Sequence, residues 1–193
     1  MNKEFVIIGA GPAGLCAALE AARHGVDVML IDENDRPGGQ LFLQTHKFFG
    51  SRHHLAGVRG FQIACDLLAE AQEYGLDVRL NSTVWGLFPD NRVAFAIDDE
   101  EQDSVVAEYV LVASGALEKG TFFPGWTKPG VMGAGAAQKM MHVHLVLPGR
   151  KVLVVGSGNV GLILAYQLAQ AGAQVQGVVE ALPCISGYQV HAG

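Results

Sequence analysis

The residues able to do chemistry in this sequence are glycines at fixed spacing. "EFVIIGAGPAG" fills residues 4–14 and "KVLVVGSGNVG" residues 151–161, and each is an apolar run that ends in G-x-G-x-x-G. In this pattern Gly9 (Gly156 in the second copy) permits a tight turn. Gly11 (Gly158) lets a pyrophosphate approach the backbone, and Gly14 (Gly161) lets the following helix pack on its strand. A helix that opens with Pro12 and Ala13, or with Asn159 and Val160, turns its positive end toward that phosphate. An acid about 20 residues past the glycines completes a dinucleotide seat, because a carboxylate can accept both ribose hydroxyls. Asp32 and Glu33 stand there in the first copy and Glu180 in the second.

A shift of 147 overlays the copies: Gly9, Gly11, Gly14, Ala18, Ala22, Gly25, Val28 and Glu33 fall on Gly156, Gly158, Gly161, Ala165, Ala169, Gly172, Val175 and Glu180. The usual ribose acid is Asp32, four residues after Val28, and its equivalent in the second copy is Val179. Glu180 comes one residue late, and strand alternation aims it elsewhere. No Arg or Lys lies near it in sequence to take a 2′-phosphate, which favours NAD over NADP. Neither copy ends in the G-K-[S/T] of a nucleoside-triphosphate loop. The alternative reading is two structural βαβ turns with no ligand.

The elements that must position these loops follow from apolar pattern and breakers. Phe5 to Ile8 reads as a central strand buried on both faces, Pro12 to Arg23 as a helix that Gly25 ends, and Val26 to Ile31 as a second strand. "RPGGQLFLQ" begins as a turn. Leu55 to Tyr74 has the spacing of a helix ended by Gly75, and Val78 to Leu80 that of a short strand. Val84 to Phe88, Val93 to Ile97 and Val105 to Val106 read as a small antiparallel meander. "EYVLVASGA" is a further buried strand entering a glycine turn. The expected class is α/β: two Rossmann-like βαβ units with a small antiparallel meander, the second domain truncated. The expected organisation is 1–120 for the first nucleotide-binding domain, 121–149 for a crossover rich in Pro-Gly pairs, and 150–193 for the start of a second.

Composition narrows the function. Half of the 193 residues are hydrophobic and only 17 % are charged, which suits a buried parallel sheet. A net charge of −6 without a basic stripe speaks against nucleic acid. Val152 to Val179 runs 28 residues without a charge, long enough for a membrane span. Its glycine and glutamine load fits strand-turn-helix-strand instead, so a soluble, cytoplasmic protein without a membrane partner is expected. Cys16, Cys65 and Cys184 are sparse and unpaired, which suits a reducing compartment and predicts small buried side chains. His46, His53, His54, His142 and His144 lack Cys or acidic partners at zinc-ligand spacing, so no metal site is expected.

The order of these parts resembles the pyridine nucleotide–disulfide oxidoreductase superfamily: FAD fingerprint, meander, A-[ST]-G strand, crossover, NAD(P) fingerprint. "GGQLFLQTHKFFGSRHHLAGVRG", "FPGWTKPGVMGAGAAQKMM" and "VVEALPCISGYQVHAG" are similar to the FAD/NAD-binding alpha subunits of heteromeric amine and amino-acid dehydrogenases, of the sarcosine oxidase, proline dehydrogenase and hydrogen cyanide synthase type. The resemblance implies a flavoprotein oxidoreductase. Electrons would move to an acceptor such as NAD from an amine-type substrate or from a partner oxidoreductase subunit. The resemblance assigns the FAD pyrophosphate to Gly9, Gly11 and Gly14 and the adenosine ribose to Asp32. Gly39 and Gln40 fall near the flavin ring, and Val84 meets the adenine through its backbone. Gly115, in the Ala113–Gly115 turn, closes the pocket. A nicotinamide nucleotide is assigned to Gly156, Gly158 and Gly161, with Glu180 at its ribose. No catalytic residue is singled out.

Two departures bear on function. The loop "GGQLFLQTHKFFG" and the later "MGAGAAQ" contain no cysteine, and disulfide reduction needs a thiol pair beside the flavin. The returning Gly-Asp motif that contacts the flavin's ribityl-phosphate side in this family is also missing, as for the first part of a longer protein. A chain of this extent alone is expected to bind FAD less tightly and to leave its second sheet with an exposed edge. The alternative function is a non-catalytic nucleotide-binding subunit or fragment that requires a partner chain.

Overall fold

The computed structural model describes residues 1–48, 51–120 and 122–188. Residues 49–50, inside the first resemblance motif, and 189–193, the end of the third, lie outside them. The chain divides into two compact units, Met1–Ala116 and Leu117–Gly193.

The first unit is built on a six-stranded sheet. β1 (Asn2–Ile8) is followed by α1 (Pro12–Arg23), β2 (Val28–Ile31), α2 (Gly60–Glu73), β3 (Asp77–Arg79), β4 (Ser82–Leu87), β5 (Arg92–Ile97) and β6 (Glu101–Val112). The strand order is β3-β2-β1-β6-β5-β4. β3, β2, β1 and β6 run parallel, while β4 and β5 pair antiparallel beyond β6. Residues on opposite faces of β1 therefore enter different cores, as the two-residue pleat requires. Ile7 joins Leu15 and Ala18 of α1 and Leu30 of β2 under the helices. Val6 packs with Met29, Ile31, Val93, Phe95 and Val105, so the meander's own side chains cover the other face. Ile7, Leu15, Met29 and Leu30 are fully buried, and each contributes roughly 1.5–3 kcal/mol of transfer free energy.

α1 starts and stops where the sequence places it. Pro12 occupies its first turn, and Gly25 (φ +77°) ends it with its N–H donating to Ala22 O at 2.9 Å. Several expectations are corrected. The segments read as separate strands at 105–106 and in "EYVLVASGA" form one twelve-residue strand, β6. Its polar start, Glu101 to Ser104, is paired register by register with β5, and that ladder outweighs the low strand propensity of the acids. The connection between β5 and β6 is confined to the tip of the hairpin, where Asp98 and Asp99 take positive φ. β6 is also less buried than read, with Tyr109 69 % exposed. The helix expected from Leu55 starts at Gly60, because Leu55 (φ +60°) and Gly57 (φ +89°) take left-handed conformations that break its first turn. The cysteines are corrected as well: Cys16, Cys65 and Cys184 are all exposed.

The second unit contains α3 (Ala134–His142), β7 (Lys151–Val155), α4 (Asn159–Gln170) and β8 (Gln174–Val179), with β7 and β8 parallel. Ala137 and Met141 of α3 pack on Leu164 and Leu168 of α4 and on Val154 of β7. A buried amide pair, Gln138 Nε2 to Gln167 Oε1 at 2.8 Å, fixes the two helices in register. Glu118 accepts the first N–H groups of α3, those of Ala134 and Gly135, at 2.9 Å each. The other face of the two-stranded sheet is open, with Leu153 57 % and Val155 66 % exposed. No helix among the described residues is long and apolar enough to cross a membrane.

Candidate functional site

The first glycine loop lies at the carboxyl end of β1, where β2 flanks one side and β6 the other. That is the switch point at which a parallel sheet leaves a crevice for a ligand. Gly9 has φ +106°, and a β-carbon on it would overlap the Ala113 carbonyl oxygen at the end of β6. A β-carbon on Gly14 would overlap the Gly9 carbonyl oxygen, so only glycine allows α1 to sit this close to its strand. Gly11, the N-cap of α1, has open space where its side chain would be. That opening, beside N–H groups with no intrahelical partner, suits an anionic ligand group.

Asp32 is 8 % exposed and aimed into this loop. Its Oδ2 accepts the Ala10 N–H at 2.6 Å, and its Oδ1 accepts the Asn34 N–H at 2.8 Å and Asn34 Nδ2 at 2.7 Å. The carboxylate thus braces the middle of G-A-G from the end of β2. Its neighbour Glu33 is exposed. The Pro-Gly-Gly turn closes the opposite side: Gly38 N–H donates to Ala10 O at 2.7 Å, and a β-carbon on Gly39 would stand 3.0 Å from Gly11 Cα. Phe42 packs against Gly38 and carries the Arg36 guanidinium 4.1 Å from its ring centre, which pins the turn. Gln40 follows on the exposed side. The start of β4 is tied in by Ser82 N–H to Asp32 O at 2.9 Å and Asn81 N–H to Asn34 O at 3.0 Å, two residues from half-buried Val84. Ala113 N–H donates to Ile8 O at 2.7 Å, and Gly115 (φ +77°) turns the chain away. Four separated segments therefore meet around one glycine loop.

The second loop repeats the geometry. Gly156 has φ +103°, Gly158 caps α4 with open space at its side-chain position, and a β-carbon on Gly161 would overlap the Gly156 carbonyl oxygen. Asn159 and Val160 open α4. Glu180, expected to point elsewhere, reaches the equivalent place. Its Oε2 accepts the Ser157 N–H at 2.9 Å, the Ser157 hydroxyl, and Ser186 Oγ at 3.0 Å, while its Oε1 accepts the N–H groups of Ala181 and Leu182. Ser157 is the counterpart of Ala10. β8 ends at Val179, so the pleat no longer dictates where Glu180 points, and the extra methylene spans the extra residue. The Ser157 hydroxyl first, then its backbone N–H, the Leu182 N–H and the Ser186 hydroxyl, hold the Glu180 carboxyl down to about 2.

Several contributors are absent from the fingerprint pattern: Asn34, Gly38, Ser157, Ser186 and Gly187. A signal for some exists in the sequence, since a shift of 148 carries both Asp32 to Glu180 and Gly39 to Gly187. Among the described residues there is no cluster of His, Cys, Asp or Glu that could hold a metal ion.

Comparison with known proteins fits this geometry. The pattern of the family described as pyridine nucleotide-disulphide oxidoreductase matches residues 3–190. Hydrogen cyanide synthase subunit HcnB of Pseudomonas protegens is 34 % identical over 193 aligned residues, covering 94 % of this chain and 39 % of that protein. An opine oxidase subunit from Agrobacterium tumefaciens is 35 % identical, covering 88 % of this chain and 35 % of that one. The crystal structure of L-proline dehydrogenase from P. horikoshii superposes with a TM-score of 0.80 at 28 % identity, over 93 % of this chain and 35 % of that chain. The chain thus spans less than half the length of the relatives it matches.

Proposed function

This chain belongs to the pyridine nucleotide-disulphide oxidoreductase family, and from that premise we propose that it is the nucleotide-binding part of an FAD-dependent oxidoreductase subunit. It would pass electrons from an amine or amino-acid type substrate, handled with a partner subunit, to an acceptor such as NAD. The observation that carries this reading is the first glycine loop, an open anion cradle braced by a buried carboxylate and walled by four converging segments. Its residues fit FAD. The free N–H groups of the first turn of α1 would hold the pyrophosphate. Glu33 and the remaining lone pair of Asp32 would face the ribose, the β4 backbone at Val84 the adenine, and Gly39 and Gln40 the flavin side. Ala113 and Gly115 would wall the pocket at the end of β6. FAD, when bound, supplies the electron acceptance that no protein side chain provides. The protein's own part is to orient it and to neutralise phosphate charge with a helix end.

Gly156, Gly158, Asn159, Val160 and Gly161 would hold a nicotinamide nucleotide in the same manner. The substrate class rests on the names of similar proteins, opine oxidase and L-proline dehydrogenase, and the partner on the word subunit in the names of two relatives. Purified protein should be yellow, release FAD on denaturation and gain thermal stability when FAD is added back. A colourless protein indifferent to FAD would sink the reading. Stabilisation by nucleotide with no electron transfer to a dye acceptor would favour a non-catalytic binding subunit.

A further inference from the structure

The segment that follows Glu180 returns across the second glycine loop. Ser186 N–H donates to Ser157 Oγ at 3.0 Å, and Ser186 Oγ donates to Glu180 Oε2 at 3.0 Å. Gly187 N–H donates to Ser157 O at 2.8 Å, and Tyr188 N–H donates to Asn159 Oδ1 at 2.7 Å. A β-carbon on Gly187 would stand 3.0 Å from Ser157 O, 3.2 Å from Asn159 N and 2.7 Å from Leu162 Cδ1. This backbone therefore lies against the first N–H group of α4, the donor to which a phosphate oxygen would have to come within about 2.9 Å. Strap and phosphate compete for one volume. The latch is also the acid: five donors converge on Glu180, whose two oxygens offer about four lone-pair sites, so no capacity is left for a ribose diol.

We propose that Ser186–Tyr188 is a strap gating the second nucleotide site, with Ser186 and Glu180 as its latch. Opening it uncovers the α4 amides and takes the third donor off Glu180 Oε2 in one motion, so the phosphate seat is cleared as the crowding on the acid is relieved. Asp32 offers no parallel, because its carboxylate is engaged by Ala10 and Asn34 and not by the Gly-Gly turn. The inference rests on the nicotinamide-nucleotide reading of the second loop.

Two variants of the 193-residue chain open the strap by different routes. Ser186→Ala removes the hydroxyl latch, and Gly187→Ala adds a β-carbon with no room against Ser157 O and Leu162. Both should speed amide hydrogen exchange at Ser157 to Val160 several-fold in nucleotide-free protein, and both should bind NADH roughly 3- to 10-fold more tightly in a fluorescence titration, as expected when a closed population no longer competes with binding. Unchanged exchange, or NADH affinity equal to or weaker than that of the unsubstituted chain, overturns the gate alone. No NADH binding by any of the three proteins overturns the gate and the second-site reading together, while FAD retention at the first loop stays a separate measurement.

Discussion

The two glycine loops are held in the same way by different residues. In the first, a short buried carboxylate at the end of β2 takes the Ala10 N–H, and Gly38 takes the Ala10 carbonyl. In the second, a longer carboxylate one residue past the end of β8 takes the Ser157 N–H, and Gly187 takes the Ser157 carbonyl. The positive φ at the first glycine, the extended N-cap and the impossible β-carbon at the third are also shared. Bracing depends on where a carboxylate's oxygens arrive, so reach and register can be exchanged. The difference lies in what surrounds each brace. Asp32 sits inside a six-stranded sheet with a covered core on each face, whereas Glu180 is only half-buried beside two strands and shares its oxygens with a crossing strap.

That contrast can be tested in descending order of effect. Gly14→Ala and Gly161→Ala each force a β-carbon into a carbonyl oxygen and should destabilise their own unit by about 3 kcal/mol, read by urea unfolding. Loss of FAD from Gly14→Ala but not from Gly161→Ala would assign the flavin to the first loop; the reverse would break that assignment. Asp32→Ala strands the buried Ala10 and Asn34 donors at a cost of about 2 kcal/mol and should weaken FAD retention at least roughly 10-fold, read by dialysis and absorbance. Glu180→Ala should lower the thermal midpoint less than Asp32→Ala does, because water can replace a half-buried acceptor. Glu180→Asp should behave like Glu180→Ala, since a side chain starting one residue late and one methylene shorter falls short of Ser157. Retained protection of the Ser157 amide in Glu180→Asp would contradict the exchange of reach for register.

The smallest effect is in pH. The folded Glu180 carboxyl is held at about 2, below its ordinary value, so its brace is fully present above the ordinary carboxylate range and is lost as pH falls through about 2. Amide protection of Ser157 should stay flat from about pH 7 to about pH 5, once corrected for intrinsic exchange, and decline only toward about pH 2. A midpoint in the ordinary carboxylate range, about pH 4 to 5, would mean that the donors on Glu180 do not hold it.

Much of this architecture is legible in the residues. The Pro12–Arg23 helix is marked by Pro at its start and Gly25 just beyond its end, and the βαβ repeat by glycines with no substitute at those φ angles and contacts. The continuity of β6 was not legible. Its acidic start has no strand propensity of its own and is ordered by pairing with β5. The aim of Glu180 was hidden for a related reason, since alternation holds only inside a strand and the residue lies just outside one. The exposure of the three cysteines depends on which helix face and loop side meets a core, and composition carries no such information.

By itself the sequence determined the family, the α/β class and the two glycine turns, because each depends on local backbone requirements written at fixed spacing. Only the tertiary structure decided which donors each acid accepts, that the meander covers one face of the first sheet, and that residues 186–188 lie across the second loop. Those outcomes depend on contacts between residues distant in the chain, and such contacts leave no period or spacing in the sequence to read.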